Sequence, residues 1–344
     1  MFNFSRTTAL MLTLALSASA FVTSNAAAQE SRRYLRPELP KLDETPISQS
    51  DSGAQTEGDI NWVDTSHAYA TDQAQALTEW MDDFFGDPNY DLEQAESQLR
   101  IQWRNSWDED DDYKTKIRLR GKLQLPKLSQ RLNLVFNGED GDTVVEDDRA
   151  DDDSAELLYN VNDVRRQRLD LTLNLNTNGL RPGARYRNKG PLGNSDSYFY
   201  RYTQRLEWES DEGFYTTGQL NLDKVLDDTR LLRWSNRAIY GEETFGAEWR
   251  SIVSLSVRKP LERNADQRVI SYYAGIEGYS DPSLIENYRL GAVFRRNFYR
   301  KFLFFEVEPS YNFRKRFEDS ERDGAWNIML RLEIVLERDL RSIF

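Results

Sequence analysis

From Trp326 the chain reads WNIMLRLEIVLE, with Trp326, Ile328, Leu330, Leu332, Ile334 and Leu336 on even positions. Asn327, Arg331, Glu333 and Glu337 hold the other parity. Side chains of a strand point alternately to opposite faces, so this is a ribbon with one apolar and one charged side. The pattern recurs upstream. In YKTKIRLRGKLQL, Tyr113, Ile117, Leu119, Leu123 and Leu125 oppose Lys114, Lys116, Arg118, Arg120 and Lys122. A soluble sandwich has no place for a strand with so charged a second face, whereas the wall of a polar lumen does. Leu169, Leu171, Leu173 and Leu175 oppose Arg166, Arg168 and Asp170, and Tyr198, Tyr200, Tyr202, Leu206 and Trp208 oppose Arg201, Arg205 and Glu207. Trp249, Val253, Leu255 and Val257 oppose Glu248, Arg250 and Arg258; Tyr288, Leu290 and Phe294 oppose Arg289 and Arg295; Leu303, Phe305, Val307 and Tyr311 oppose Glu306 and Glu308.

Alternating segments of about ten residues, separated by turns such as NTNG, SDEG and SDPS, are what a transmembrane β-barrel requires. Candidate strands lie near 97–105, 113–125, 131–137, 166–176, 180–187, 197–209, 213–223, 231–240, 244–258, 268–278, 286–297, 302–313 and 325–337. That count is odd, and a bacterial barrel with both termini on one side has an even number. The weakest are 180–187, which contains Pro182 and Gly183, and the short 97–105. The expected fold is therefore all-β: a transmembrane, antiparallel, up-and-down barrel of about 12 strands, with ten or fourteen as alternatives. Pro309 costs a ladder hydrogen bond and is expected near a rim.

Before the barrel the period is helical. TDQAQALTEWMDDFFGD carries an apolar stripe at Ala70, Ala74, Leu77, Met81, Phe84 and Phe85, with Thr71 or Asp72 able to cap it and Gly86 to end it. This predicts a short amphipathic helix near 72–85, expected on the periplasmic rim of the barrel, with a lumen plug or a partner dock as alternatives. Residues 31–66 lack sustained periodicity and read as a tether. At the N-terminus Arg6, the apolar run ALMLTLALSASAF and the small residues Ala26 and Ala28 form a secretory signal pattern. The expected organisation is a signal peptide over 1–28, a periplasmic extension over 29–96 and the barrel over 97–344.

Composition refines this picture. The absence of cysteine rules out a disulfide scaffold and a cysteine-anchored lipoprotein. A net charge of −13 argues against nucleic acid as a partner. The mean hydropathy of −0.74 suits a barrel, because only alternate residues within the lipid band need be apolar. With 17 Tyr and 8 Trp the chain has the aromatics for interfacial girdles.

The chemistry for catalysis is thin. The single histidine, His67, precedes the barrel, whereas barrel hydrolases and acyltransferases place a histidine base in or on the barrel. No catalytic residue, metal site or cofactor is expected. Two acidic clusters, Asp108–Asp112 and the run from Glu139 to Glu156, are dense enough to take Ca²⁺ or Mg²⁺ between lipopolysaccharide phosphates. Their spacing fits no EF-hand, and the simpler expectation is a solvated, self-repelling loop.

The inward faces are the remaining candidate site. They carry Lys114, Lys116, Arg118, Arg120, Lys122, Arg168, Arg185, Arg201, Arg205, Arg233, Arg237, Arg250, Arg289, Arg295 and Arg331 against Glu207, Asp223, Glu248, Glu306, Glu308 and Glu333. Such a wall either fills a narrow barrel with Arg–carboxylate networks or lines a pore that favours anions.

The final strand ending near a terminal aromatic, Phe344, resembles the C-terminal signature of bacterial outer-membrane barrels, although Arg338 and Ser342 interrupt the lipid-facing parity. GKLQLPKLSQRLNLVF, YRLGAVFRRNFYRKFLFFEVEPSYNF and WMDDFFGD together resemble an uncharacterised family of proteobacterial outer-membrane proteins over roughly residues 75–337. The resemblance implies a barrel in the cell outer membrane and no established activity. Expected partners are outer-membrane lipid, lipopolysaccharide and the barrel-insertion machinery, with a periplasmic partner for residues 72–85 as a further option. The expected function is a narrow, anion-favouring, porin-like channel. The alternative is a closed structural or interaction barrel with acidic loops and a docking helix.

Overall fold

The computed structural model describes residues 76–82, 84, 85 and 97–338, apart from 126–128, 130, 137–154, 165, 177–178, 194–196, 211–212, 243, 245, 260–266 and 316–320. The signal pattern, the tether, His67, the helix caps, the acidic residues 139–153 and Phe344 lie outside the described residues. Residues 76–82 and 84–85 form helix α1. The barrel strands are β1 (Ser97–Asp108), β2 (Asp112–Gln124), β3 (Leu132–Phe136), β4 (Ala155–Val164), β5 (Gln167–Asn176), β6 (Gly179–Pro191) and β7 (Tyr198–Glu209). They continue with β8 (Gly213–Asp227), β9 (Arg230–Gly241), β10 (Ala247–Arg258), β11 (Arg268–Ser280), β12 (Ser283–Phe298), β13 (Arg300–Arg314) and β14 (Asp323–Arg338). Each pairs antiparallel with its sequence neighbours, and β1 pairs with β14 from Ser97↔Arg338 to Asp108↔Asn327, closing the barrel. Closure into a barrel removes the open sheet edges that lipid does not tolerate, the described β2–β3 pairing running over Gly121–Gln124 only.

The described strands number fourteen, not twelve. Both doubted segments are strands. In β6, Pro182 faces outward opposite Leu173 and Gly183 inward opposite Glu207. A Cβ on Gly183 would come within 2.6 Å of the Leu206 carbonyl oxygen, so the close approach requires glycine. The strand that alternation missed is β4, whose Glu156 reads as the tail of the acidic run. Its Leu158 and Glu156 point inward, both with 0 % exposure. Pro309 is also not at a rim. It sits mid-strand in β13 opposite Ile328, where the pairing to β12 skips from Gly291↔Ser310 to Phe294↔Val307. The missing N–H thus falls where no ladder bond is asked of it.

The outer wall is apolar. Ile117 is 70 % exposed and Leu290 64 %, and the even residues of β14 from Trp326 to Leu336 all face out, Leu332 half-buried and the rest exposed. A water-soluble protein does not expose a continuous belt of this kind; lipid covers it. Aromatics gather where the belt ends. Trp107, Tyr113, Trp208, Phe214, Tyr311 and Trp326 lie toward the end remote from the chain termini, and Phe298, Tyr299 and Phe302 toward the other. Tyr299, with φ of 59°, is the single residue linking β12 to β13. Leu290→Arg, at the middle of β12, is expected to cost about 2–4 kcal/mol, measured by urea titration of folding into phosphatidylcholine vesicles.

Candidate functional site

The lumen is built by the odd positions of β3, β6–β9, β11, β12 and β14 and the even positions of β1, β2, β4, β5, β10 and β13. Each strand delivers an inward residue every second position, so cross-strand registers stack those residues into levels. At the end where Ser97 and Arg338 pair, the lumen is occupied. The buried face of α1 (Leu77, Met81, Phe84 and Phe85) forms one cluster with Leu231, Ile252, Val269, Tyr273, Val293, Phe304 and Val335 from β9 to β14. The helix is therefore inside the barrel, not on the rim. Burying four such side chains stabilises docking by about 1.5–3 kcal/mol each.

One charge fixes the helix on its other side. Asp82, with 0 % exposure, is ion-paired with Arg201 of β7 and with Arg233 of β9 at 2.7 Å. Arg233 also holds Asp223 at 2.6 Å. Burial pushes the Asp82 carboxyl up, and the Arg201 and Arg233 guanidiniums more than offset this, leaving it below the ordinary carboxylate value. Trp80 stacks on Phe84 at 4.9 Å and lies under the Arg258 guanidinium at 5.0 Å.

The predicted inward residues fall into separate groups. Glu333 accepts from Arg100 at 3.0 Å, Gln102 at 2.6 Å and Arg295 at 2.5 Å. Arg295 also donates to Glu306 at 3.0 Å, and Arg331 pairs with the second oxygen of Glu306 at 2.9 Å. Arg295 lies 4.7 Å from the Phe304 ring centroid and 5.6 Å from that of Phe84, so the network at the β1–β14 seam touches the plug. Glu308 accepts from the Tyr273 hydroxyl at 2.5 Å and from Arg289 at 3.2 Å. On the far wall Asp170 takes Arg168 at 2.9 Å and Arg187 at 3.1 Å, while Arg185 reaches both Asp170 and Glu156. Arg205 lies 3.5 Å from both Glu156 and Glu207, and Arg181 pairs with Glu209 at 2.8 Å.

The sequence reading missed Asp82, Arg100, Glu156 and Glu209 as members of this interior, while it set Asp170 on the inward parity of its strand. The added acids bring the lumen closer to charge balance than the inward cations suggested. At the mouth remote from the termini, Asp108 and Asp110 of the first acidic cluster are taken by Arg314, at 2.5 and 3.5 Å. Lys114 there is exposed and lies 3.9 Å from Asp111.

Among the described residues, cations gather on one strip. The β1–β2 register sets Arg100 opposite Arg120, Gln102 opposite Arg118, Arg104 opposite Lys116 and Gln98 opposite Lys122. β3 borders this strip only at Lys122, opposite Val135. Seven cations, counting Lys114, thus share one strip, with Asp108 the inward-parity acid of β1, Glu333 of β14 beside Arg100 and Asp111 beside Lys114. Arg250 lies elsewhere, in a cavity of about 210 Å³ formed mainly by β9–β13 near the remote mouth.

No family model and no curated relative matches the chain. Solved structures that align with it are barrels. The KdgM porin in complex with disordered oligogalacturonate is 8 % identical over 68 % of this chain and 98 % of that one, with a TM-score of 0.32. Outer-membrane expressed OmpT of Vibrio cholerae is 8 % identical over 70 % and 97 %, with a TM-score of 0.40. The anion-selective porin from Comamonas acidovorans is 8 % identical over 70 % and 98 %, with a TM-score of 0.37. The function has to come from this barrel's own residues.

Proposed function

We propose that the chain is an integral outer-membrane barrel serving as a narrow, anion-favouring channel, closed at its periplasmic end by α1. The apolar belt requires lipid around it, and the signal pattern and the segments that resemble a proteobacterial outer-membrane family support the outer membrane. Expected partners remain lipid, lipopolysaccharide and the insertion machinery.

The observation that carries anion preference is the strip across β1 and β2. Like charges directly opposite on neighbouring strands repel, and the register stacks two such pairs, Arg100↔Arg120 and Arg104↔Lys116, along one wall of the lumen, with Glu333 of β14 beside Arg100. A passing anion relieves that repulsion, and rings of Arg and Lys select anions in pores.

The test is current through planar bilayers under a potassium chloride gradient. Open events of the purified full-length protein are expected to reverse at a potential showing chloride preferred over potassium. The double substitution Arg118→Gln/Arg120→Gln should move that potential toward the unselective value. Electrical silence of both the native chain and a chain with α1 unseated would leave the closed-barrel alternative standing.

A further inference from the structure

The outward face of β1 departs from its own apolar pattern at one position. Ile101, Trp103 and Trp107 are exposed on the outer wall, and between the two tryptophans stands Asn105. The register sets Asn105 opposite Thr115 of β2 and Leu330 of β14. Its Oδ1 accepts from the Tyr113 hydroxyl at 2.5 Å and from the Thr115 hydroxyl at 2.8 Å, which uses both lone pairs of that oxygen. Both donors stand on β2, so the amide nitrogen is turned the other way, toward β14, and it donates to no group among the described residues. On that side Trp103, Trp107, Ile328 and Leu330 line a groove in the outer wall. Asn105 is 8 % exposed against 41–45 % for these four, so it forms the floor.

The groove is continuous with the apolar belt, and its occupant therefore comes from the membrane or from another chain embedded in it. Plain hydrocarbon leaves the floor amide without an acceptor, a state that a polar group facing lipid does not tolerate. A second copy packed symmetrically would present its own Asn105, whose oxygen is already saturated by Tyr113 and Thr115. An acyl chain that carries a carbonyl within the hydrocarbon region meets both demands. The chain covers the apolar sides, and the carbonyl oxygen accepts the N–H. Depth selects among such chains. Asn105 lies one outward step inside Trp107 of the girdle at headgroup level, and one step along a tilted strand is about 5 Å of depth. Glycerol lipids hold their ester carbonyls at the headgroup boundary, level with the girdle. The branched acyloxyacyl chains of lipopolysaccharide carry a further ester a few bonds deeper.

We propose that this groove is a specific site for one branched acyl chain of lipopolysaccharide, its inner ester carbonyl held by Asn105 Nδ2 between Trp103 and Trp107. The assignment rests on the outer-membrane reading above. With α1 at the periplasmic end, the groove opens on the outer leaflet, where acylated saccharide lipid takes the place of phospholipid. It does not depend on conduction.

The experiment is native mass spectrometry of delipidated full-length protein in detergent micelles, titrated with rough lipopolysaccharide or with phosphatidylethanolamine. One lipopolysaccharide per barrel is expected, with phosphatidylethanolamine about tenfold weaker or more. Asn105→Leu should weaken lipopolysaccharide about tenfold, the scale of one lost hydrogen bond. Leu171→Ala, exposed on β5 away from the groove, should leave binding unchanged. Heat-shifted gel migration confirms that each variant is a folded barrel. Equal binding of the two lipids, indifference to Asn105→Leu, or an Asn105-dependent dimer in place of bound lipid overturns the proposal. Sidedness is read separately with Asp111→Cys at the exposed β1–β2 turn, which maleimide should label on intact cells. Labelling after permeabilisation alone overturns the orientation and the proposal with it, whereas outside labelling without bound lipopolysaccharide sinks the proposal and leaves the orientation standing.

Discussion

Asp82→Asn is expected to unseat α1 and raise channel open probability by a factor of about a hundred. Removing one partner of a buried ion pair costs about 3–5 kcal/mol, because the charge left behind has lost its counterion in a dry site. Here two guanidiniums, Arg201 and Arg233, share the carboxylate. A few kcal/mol shifts a docked–undocked equilibrium by two or more powers of ten. The apolar face of α1 opposes complete release, so the variant should flicker between closed and open. Since the chain has no cysteine, Thr78→Cys, a near-isosteric change at a position only 6 % exposed, reports docking cleanly. Maleimide should label it slowly with Asp82 present and rapidly with Asp82→Asn. The same charge gives a pH dependence. The docked carboxyl titrates below its undocked value of about 3.9, so the docking energy it supplies is fully present above about pH 4. That energy is lost as pH falls through the lower, docked value. Acidification below about pH 4 should therefore open the native channel and leave Asp82→Asn unchanged. Equal labelling and equal conductance of the two proteins at neutral pH would mean that α1 is a permanent stopper.

The barrel was legible because lipid enforces alternation residue by residue. Trp326 to Leu336 had to face out whatever the lumen held, and the same logic placed thirteen strands. It failed at β4 because Glu156 continues a run of carboxylates, and a strand beginning in such a run looks like loop. It failed at Pro182 because proline is a poor strand residue in general, while at an outward position of this barrel it is tolerated. The place of α1 was not legible from its own stripe, which says only that the helix packs on something apolar. The signal lay in the strands. Leu231-Leu232, Ile252-Val253, Val269-Ile270, Tyr272-Tyr273, Val293-Phe294, Phe304-Phe305 and Val335-Leu336 are apolar doublets where alternation asks for a polar inward residue. In every one the inward member belongs to the patch under α1. A water-filled lumen has no use for such doublets, and an occupied one does. The pairing of Arg201 with Asp82 spans 119 residues, a distance at which no local pattern speaks.

Glu333→Gln is expected to destabilise the barrel by about 3–5 kcal/mol, read as a lower urea midpoint for the loss of heat-shifted gel migration. Glu333 sits on β14, accepts from Arg100 and Gln102 on β1 and from Arg295 on β12, and is 1 % exposed. Glutamine keeps the volume and one acceptor but removes the charge that holds Arg100 and Arg295 at the seam where the sheet closes. A matched comparison isolates burial as the cause. Asp227 and Arg230 pair at 2.5 Å, the same separation as Arg295 and Glu333, yet their side chains are 38 % and 53 % exposed. Water already solvates both, so Asp227→Asn should cost about 1 kcal/mol or less. If the two substitutions cost the same, the lumen at Glu333 is as wet as the outer surface, and the networks there line an open passage even with α1 in place. A large difference makes the seam a dry wall, and then conduction runs along the part of the β1–β2 strip beyond Arg100, toward the far mouth.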